Sequence, residues 1–323
     1  MTDTTPQTAP GRRFDPKTLL QLTLFGLLAL LWLVLALATD TFFTEQNISN
    51  LVRQTSIGAL VAFGQTFVII TAGIDLSVGA VVGLSGVVLA LLLQAGVPLP
   101  LAIVLTLLLG AVVGIYHGFG IYNLGLPPFI MTLASLVGLR GVALLITNGQ
   151  SIGGLPRGFT NFSQVSFLGI PSLFWMVILV GVLAFVLLQR SRFGRYIYAV
   201  GSNREAARLS GVKIGRTIYL AYAVSATLAA LAGILLASRI SVGIPTAGTY
   251  YELDAIAASV IGGASLFGAE GSIIGSFIGA LLLTTINNGS NLLGVNPFWQ
   301  PIITGLIIVG VVYTDQLRKR RQA

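Results

Sequence analysis

The sequence predicts an all-α, polytopic membrane protein of about ten transmembrane helices with both termini in the cytoplasm. Three observations predict it. Of 323 residues, 55% are hydrophobic and only 9% are charged, where a soluble domain carries roughly 25% charged residues. Apolar runs close to the length of a bilayer-crossing helix recur along the whole chain. The cations gather in three places that such a topology puts on one side of the membrane.

The first run, 19–38, follows Arg12, Arg13 and Lys17. It is about 30 Å long as a helix, and the apolar core of a cleavable signal is shorter, about 7–15 residues, so it reads as a retained span. Runs 57–71 and 77–94 are split by "TAGIDLSVG", where Asp75 is expected to cap a helix starting at Leu76. Run 99–121 carries Gly110, Gly114 and Gly118 at four-residue spacing, which lets helix backbones approach closely in lipid. His117 lies near the end of that run and reads as a packed or interfacial residue. Run 128–147 holds Arg140 well inside it, so the guanidinium is expected to snorkel outward or meet an acid.

The loop 148–171, rich in Gly, Ser, Asn and Pro, reads as the longest outer loop. Run 172–189 leads into a polar island, 190–216, and runs 217–237, 252–266, 271–290 and 299–314 complete the ten. A second Gly- and Ser-rich break, "IGGASLFGAEGSIIGSFIGA", joins the eighth run to the ninth. It carries Glu270, expected as a cap or surface charge. Gly271, Gly275 and Gly279 repeat the four-residue spacing. Fourteen of the 18 cations then lie at the N-terminus, in the island and at Arg318–Arg321. That places the island and both termini in the cytoplasm.

Within the island, Ser202-Asn203-Arg204-Glu205 fits a capping box, with Ser202 as the N-cap and Glu205 reaching back to it. The expected helix runs from Asn203 to Ser210, about 12 Å, and is too short to span. Gly211 sits where a left-handed residue ends a helix. Ala206, Ala207 and Ser210 form a small-residue face. An ordinary solvated loop helix and an element gripped by a partner both fit this pattern.

The inventory excludes several chemistries. There is no cysteine and only one histidine, so no thiol catalysis, disulfide or His/Cys metal cluster can form. No GxxxxGK[ST] stretch occurs, so the chain lacks a nucleotide-binding loop. The positive-inside pattern accounts for the net charge of +8 without nucleic acid. An ion-coupled secondary transporter of a small neutral solute stays open at this point, with Asp75, Glu252, Asp254 and Glu270 as its ion sites.

"GRYIYAVGSNREAARLSGVKIGR" resembles the cytoplasmic coupling segment of the permease subunits of ribose-type, simple-sugar ABC importers. "TAGIDLSVG", "PTAGTYYELDAIAASVIGGASLFG" and "NNGSNLLGV" resemble further stretches of that family, in the same order. The likeness runs from about residue 45 to the C-terminus. Ala269 departs from it, since a second glycine is expected near that position.

The resemblance implies a homodimer of ten-helix permeases in the bacterial inner membrane. It also implies a cytoplasmic ABC ATPase holding ATP and Mg, an extracytoplasmic sugar-binding protein, and no cofactor on this chain. The coupling residues it implies are Gly201, Ser202, Asn203, Glu205, Ala206, Ala207, Ser210 and Gly211. The domain limits become a tail 1–18, a transmembrane permease domain 19–314 and a basic tail 315–323.

Candidates for the pathway or its gate are Asp75, Asn148, Glu252, Asp254, Asn287, Asn288 and Asn291. Glu252 and Asp254 are expected near the outer boundary, where water solvates them. The cargo is expected to be a neutral, hydroxyl-rich solute, because the runs offer amides, hydroxyls and backbone at depth and few fixed charges.

Overall fold

The computed structural model describes residues 16–320; Arg12, Arg13, Arg321 and most of the expected N-terminal tail lie outside them. The helices are α1 (Pro16–Ala38), α2 (Glu45–Ile70), α3 (Val78–Gln94), α4 (Leu99–Tyr122), α5 (Pro128–Thr147), α6 (Arg157–Phe162) and α7 (Ser172–Phe185). They continue with α8 (Arg192–Ser202), α9 (Arg204–Leu209), α10 (Ile214–Ile240), α11 (Tyr251–Ile261), α12 (Ile273–Leu292) and α13 (Trp299–Arg320). A π turn, Val186–Arg190, extends α7. The strands are the two-residue pair β1 (Ser166–Phe167) and β2 (Ile170–Pro171) in the loop after α6. The chain is an all-α polytopic protein, and seven helices are long and apolar enough to cross a membrane: α1, α4, α5, α7 with its π turn, α10, α12 and α13.

Two layers of burial explain the arrangement. Every residue from Ala59 to Ile70 in α2, and from Asp75 to Val87 around α3, is buried. These helices and α10 form the centre. On the rim, Leu30 and Leu33 of α1, Val112 of α4, Leu145 of α5, Leu183 of α7 and Leu306 of α13 point outward, as lipid-facing residues do. The expected glycine stripe of α4 packs on α10. A side chain at Gly110 would come within 2.7 Å of the Ala226 carbonyl, and one at Gly118 within 2.7 Å of Tyr219 Cα. Gly275 and Gly279 of α12 meet Gly262 and Ala258 around α11 in the same way. Gly271 precedes α12 and lies beside Ile70 instead.

Several expected boundaries are corrected. α2 starts at Glu45, twelve residues before the apolar run, because Thr44 caps it by accepting from the Asn47 amide at 3.4 Å. α3 starts at Val78, and Asp75 is not its N-cap. Asp75 Oδ1 instead accepts from the Ser77 amide at 3.0 Å and the Ser77 hydroxyl at 2.6 Å, and Oδ2 accepts from Ser225 at 2.9 Å. α11 has 11 residues, about 16 Å, too short to cross a bilayer alone.

Two connections fold back into the bundle. After Ile70 the chain reverses through Ala72 (φ 58°). Asp75 returns to the level of Gln65, whose side-chain amide donates to the Asp75 carbonyl at 3.1 Å and accepts from its N–H at 3.3 Å. After α10, residues 241–250 pair at Gly243 with Ile152 (2.8 and 2.9 Å) and then run inward along α3. There a side chain at Gly83 would meet the Ala247 carbonyl at 2.8 Å, and one at Gly79 would strike Glu252.

This placement overturns two expectations. Glu252 lies beside the inner end of α3 and not at the outer boundary, with its Oε2 buried and without a hydrogen-bond partner. Arg140 neither snorkels nor makes an ion pair among the described residues. Its Nη1 donates to the Pro245 and Ala247 carbonyls, both at 2.7 Å, and so satisfies main-chain acceptors that the inserted segment cannot pair with itself.

Candidate functional site

A cavity of about 570 Å³ lies among α2, α11, α12 and the start of α13. Its wall mixes apolar surface with polar side chains: Gln54, Arg239, Tyr250, Tyr251, Asp254, Thr284, Asn287, Asn291, Gln300 and Thr304 all line it. The apolar residues Val61, Ala258 and Ala280 lie at its end nearer the island. Helix geometry explains the polar set. Asn287 and Asn291 are four apart and share one face of α12. Asp254 stands in the first turn of α11, where the helix N-terminus favours negative charge. Thr304 donates to Asp254 Oδ1 at 3.4 Å, and Gln300 donates to Asn291 Oδ1 at 2.8 Å. One cation, Arg239, and one acid, Asp254, leave the wall without net charge. Neutral and amphoteric donors and acceptors at this spacing suit a small solute with many hydroxyls.

The cavity gathers three of the pathway candidates, Asp254, Asn287 and Asn291, and leaves out four. Asn288, one residue from Asn287, turns about 100° away. It is buried against α2, where its amide and that of Asn47 donate to each other at 2.7 and 3.1 Å. Asn148 is the left-handed C-cap of α5 (φ 50°) and is exposed. Asp75 precedes α3, and Glu252 in the first turn of α11 lies beside Gly79. Arg239, Gln54, Gln300 and Thr304 come from α10, α2 and α13 and carry no local sequence signal; only the fold brings the three helices together.

The island differs from its expected form in one respect. Its helix is capped by Asn203, whose Oδ1 accepts from the amides of Glu205 and Ala206, both at 3.0 Å. Ser202 ends α8 instead, and Glu205 pairs with Arg208 rather than reaching back. Ser202 and Asn203 are both good caps. The choice falls on Asn203 because α8 continues through Ser202 to bury Ile197 and Val200. Gly211 is left-handed as expected (φ 81°), and the Gly211 and Val212 amides reach the Arg208 and Ala207 carbonyls at 3.0 Å each. Ala207 is buried, while Ala206, Ser210 and Leu209 face out.

The island touches both breaks. A side chain at Gly201 would overlap the Ile70 carbonyl and come within 2.8 Å of the Ala269 amide. The Ala269 amide itself donates to the Ile70 carbonyl at 2.9 Å. Ala269 is left-handed (φ 64°), the geometry that a glycine would adopt without strain. Tyr198 donates its hydroxyl to the Gly271 carbonyl at 2.7 Å. Burial raises the Tyr198 phenol above its ordinary pKa, so it remains a donor at neutral pH.

Comparison with known proteins adds the following. Residues 47–312 match the family described as branched-chain amino acid transport system / permease component. The chain is 41% identical over 324 residues to the ribose import permease protein RbsC of Escherichia coli (strain K12), covering 98% of this chain and 100% of that protein. It is 45% identical over 291 residues to the RbsC of Bacillus subtilis (strain 168), covering 90% of each. It is 34% identical over 357 residues to the xylose transport system permease protein XylH of Haemophilus influenzae, covering 91% of this chain and 95% of that one. No solved structure matches the chain.

Proposed function

Because the chain belongs to the family of branched-chain amino acid transport system permease components, we propose that it is the multi-pass, inner-membrane permease subunit of an ATP-driven ABC importer whose cargo is a ribose-like monosaccharide. It is a transporter subunit and not an enzyme. With no GxxxxGK[ST] stretch of its own, it leaves ATP and Mg to a cytoplasmic ABC ATPase. An extracytoplasmic sugar-binding protein delivers the cargo. The relatives that match along nearly the whole length carry ribose and xylose in their names.

The observation that carries the sugar reading is the group of hydroxyls and amides in the cavity wall, where Arg239 and Asp254 balance each other in charge. Asp254, Asn287 and Asn291 are proposed to touch cargo there, with Asp75 and Glu252 acting in gating and Asn148 and Asn288 holding the helices around the path. The family description also covers branched-chain amino acids, and the names of the relatives favour a sugar over them. An ion-coupled carrier is the alternative that the buried Asp75 favours.

The deciding measurement is uptake into proteoliposomes holding the permease, ATPase and binding protein. ATP-dependent entry of a free pentose or related monosaccharide is expected. Entry of an amino acid alone, or of any solute driven by an ion gradient without the ATPase, would overturn the reading.

The membrane arrangement is part of the proposal. α2, α3 and α11 complete a set of ten membrane helices with the seven long apolar ones. The tails 1–18 and 315–323 and the coupling segment 190–216 lie in the cytoplasm, flanking the permease domain 19–314. Two copies form the homodimer, surrounded by lipid. The cation clustering supports this orientation. A chain without cysteine makes the test direct. Arg208→Cys is expected to label only from the cytoplasm, and Gly158→Cys only from outside. Labelling of both from one side would refute the orientation.

A further inference from the structure

The short helix α9 has two unlike faces. Ala206, Leu209 and Ser210 lie on one and are exposed. Arg204, Glu205 and Arg208 lie on the other, about 150° round the helix, and line a second pocket of about 630 Å³. The turn after α9, the start of α10 and the end of α4 complete its wall with Lys213, Ile214, Arg216, Ile121 and Tyr122.

Charge sets this pocket apart from the polar cavity. Four cations, Arg204, Arg208, Lys213 and Arg216, meet a single acid there, Glu205. Glu205 is already paired with Arg208. No carboxylate among the described residues pairs with Arg204, Lys213 or Arg216. The pocket also holds the N-terminus of α10, where the N-cap Lys213 brings no side-chain acceptor to the first amides. Cations from two helices, set around one hollow with a helix start, call for an anion.

The pocket stands at the end of an apolar stripe. Leu108, Val112, Ile115, Phe119 and Tyr122 follow one another on α4 at three- or four-residue spacing, and all are exposed. Tyr122 ends the stripe and lines the pocket. Its ring lies so close to Gly215 that a side chain there would come within 2.5 Å of it. Beside it, Tyr219 donates to Asn123 Oδ1 at 2.7 Å. Tyrosines gather where a membrane meets water, so the pocket stands at headgroup level and the stripe runs from it into the apolar layer. An anion with apolar tails uses both; a free anion would leave the stripe unused.

Resting on the membrane orientation proposed above, we propose that this pocket binds the phosphate headgroup of an anionic phospholipid of the cytoplasmic leaflet. Lys213 and Arg216 hold the phosphate at the start of α10, Arg204 and Arg208 meet it from α9, and the acyl chains lie along α4. Basic pockets between membrane helices take anionic headgroups in this way. The lipid ties one face of α9 to the membrane and leaves Ala206, Leu209 and Ser210 clear on the other for the ATPase.

Lipid titration of the delipidated permease in neutral detergent, read by native mass spectrometry, tests this. The parent chain is expected to bind phosphatidylglycerol more tightly than phosphatidylcholine. Lys213→Gln with Arg216→Gln should weaken phosphatidylglycerol binding about 25-fold, about fivefold for each cation. Arg190→Gln with Arg192→Gln removes the same charge from the island outside the pocket and should leave binding close to the parent's. Lys213→Arg with Arg216→Lys keeps the charge and should retain binding, which separates a lost charge from a misfolded pocket.

Equal affinity for the two lipids, or equal losses in the two glutamine pairs, would overturn the site. Displacement of phosphatidylglycerol by inorganic phosphate at the same concentration would overturn the lipid and leave phosphate alone as the ligand. Unchanged phosphatidylglycerol binding with lost ATPase co-purification in Lys213→Gln, Arg216→Gln would give the pocket to the ATPase instead. Labelling of Arg208→Cys is read alongside. Labelling only from outside sinks the orientation and the leaflet with it, whereas cytoplasmic labelling with failed lipid binding sinks the lipid site alone.

Discussion

Gly211→Pro is expected to abolish ATP-driven uptake while the chain still enters the membrane. Gly211 is left-handed at φ 81°, and a side chain there would meet nothing within 4 Å. Space is therefore not the constraint; the backbone is. Proline fixes φ near −65° and removes the N–H, which here donates to the Arg208 carbonyl at 3.0 Å. The turn that joins α9 to α10 cannot form, and the face carrying Ala206, Leu209 and Ser210 is lost to the ATPase.

Gly211→Asn should retain most uptake, because asparagine visits the left-handed region readily. Glu205→Pro is expected to be milder than Gly211→Pro. Glu205 is the second residue of α9, in the first helical turn where proline is tolerated. It would lose the amide bond to Asn203 and the partner of Arg208. Uptake and ATPase co-purification are the readouts. Gly211→Pro transporting at the parent rate would make the segment an ordinary loop.

Arg140→Met should give a chain that unfolds at far lower temperature in detergent and carries little cargo. It removes the donor to two carbonyls held at 2.7 Å. Hydrogen bonds to a charged group are worth about 1.5–3 kcal/mol each, so the loss is about 3–6 kcal/mol, a large part of the 5–15 kcal/mol that typically holds a protein folded. It also removes the positive charge nearest Glu252, whose Oε2 has no hydrogen-bond partner in its place beside Gly79. The inserted segment 241–250 then keeps only its packing on α3 and the Gly243–Ile152 pairing. Arg140→Lys keeps the charge and should recover part of the stability. A melting temperature equal to the parent's in Arg140→Met would show that the segment is held by packing alone.

The sequence made the helix pattern legible where physics acts locally. α4 and α5 start at Leu99 and Pro128, where the apolar runs begin, and Gly211 ends α9 in the expected left-handed geometry. The glycine stripe of α4 found its close neighbour in α10. What was not legible depended on distant partners. The start of α2 reads as loop because Glu45, Arg53 and Gln54 interrupt the apolar run, yet Thr44 caps a helix there. Arg140 is visible as a buried charge, but its partners are main-chain carbonyls in a stretch that reads as an outer turn. Asn287 and Asn288 look alike in sequence, and only helix rotation sends one to the cavity and the other to Asn47. The cavity wall could not be read at all from Gln54, Arg239 and Gln300, which are joined by nothing until the chain folds.

The division between a lipid-facing rim and a polar-threaded centre also sets an order of biogenesis. The seven helices that a translocating machinery would release into lipid on hydropathy alone do not include α2, α3 or α11. Thr66 and Asp75 sit in or beside the two early ones, and in lipid their hydrogen bonds to distant helices would be unmade. Their partners Ser225, Ser259 and Ser276 are synthesised more than a hundred residues later. The nascent chain must therefore hold α2 and α3 out of bulk lipid until α10, α11 and α12 emerge, and the centre of the protein is completed last, by the C-terminal half closing around the N-terminal one.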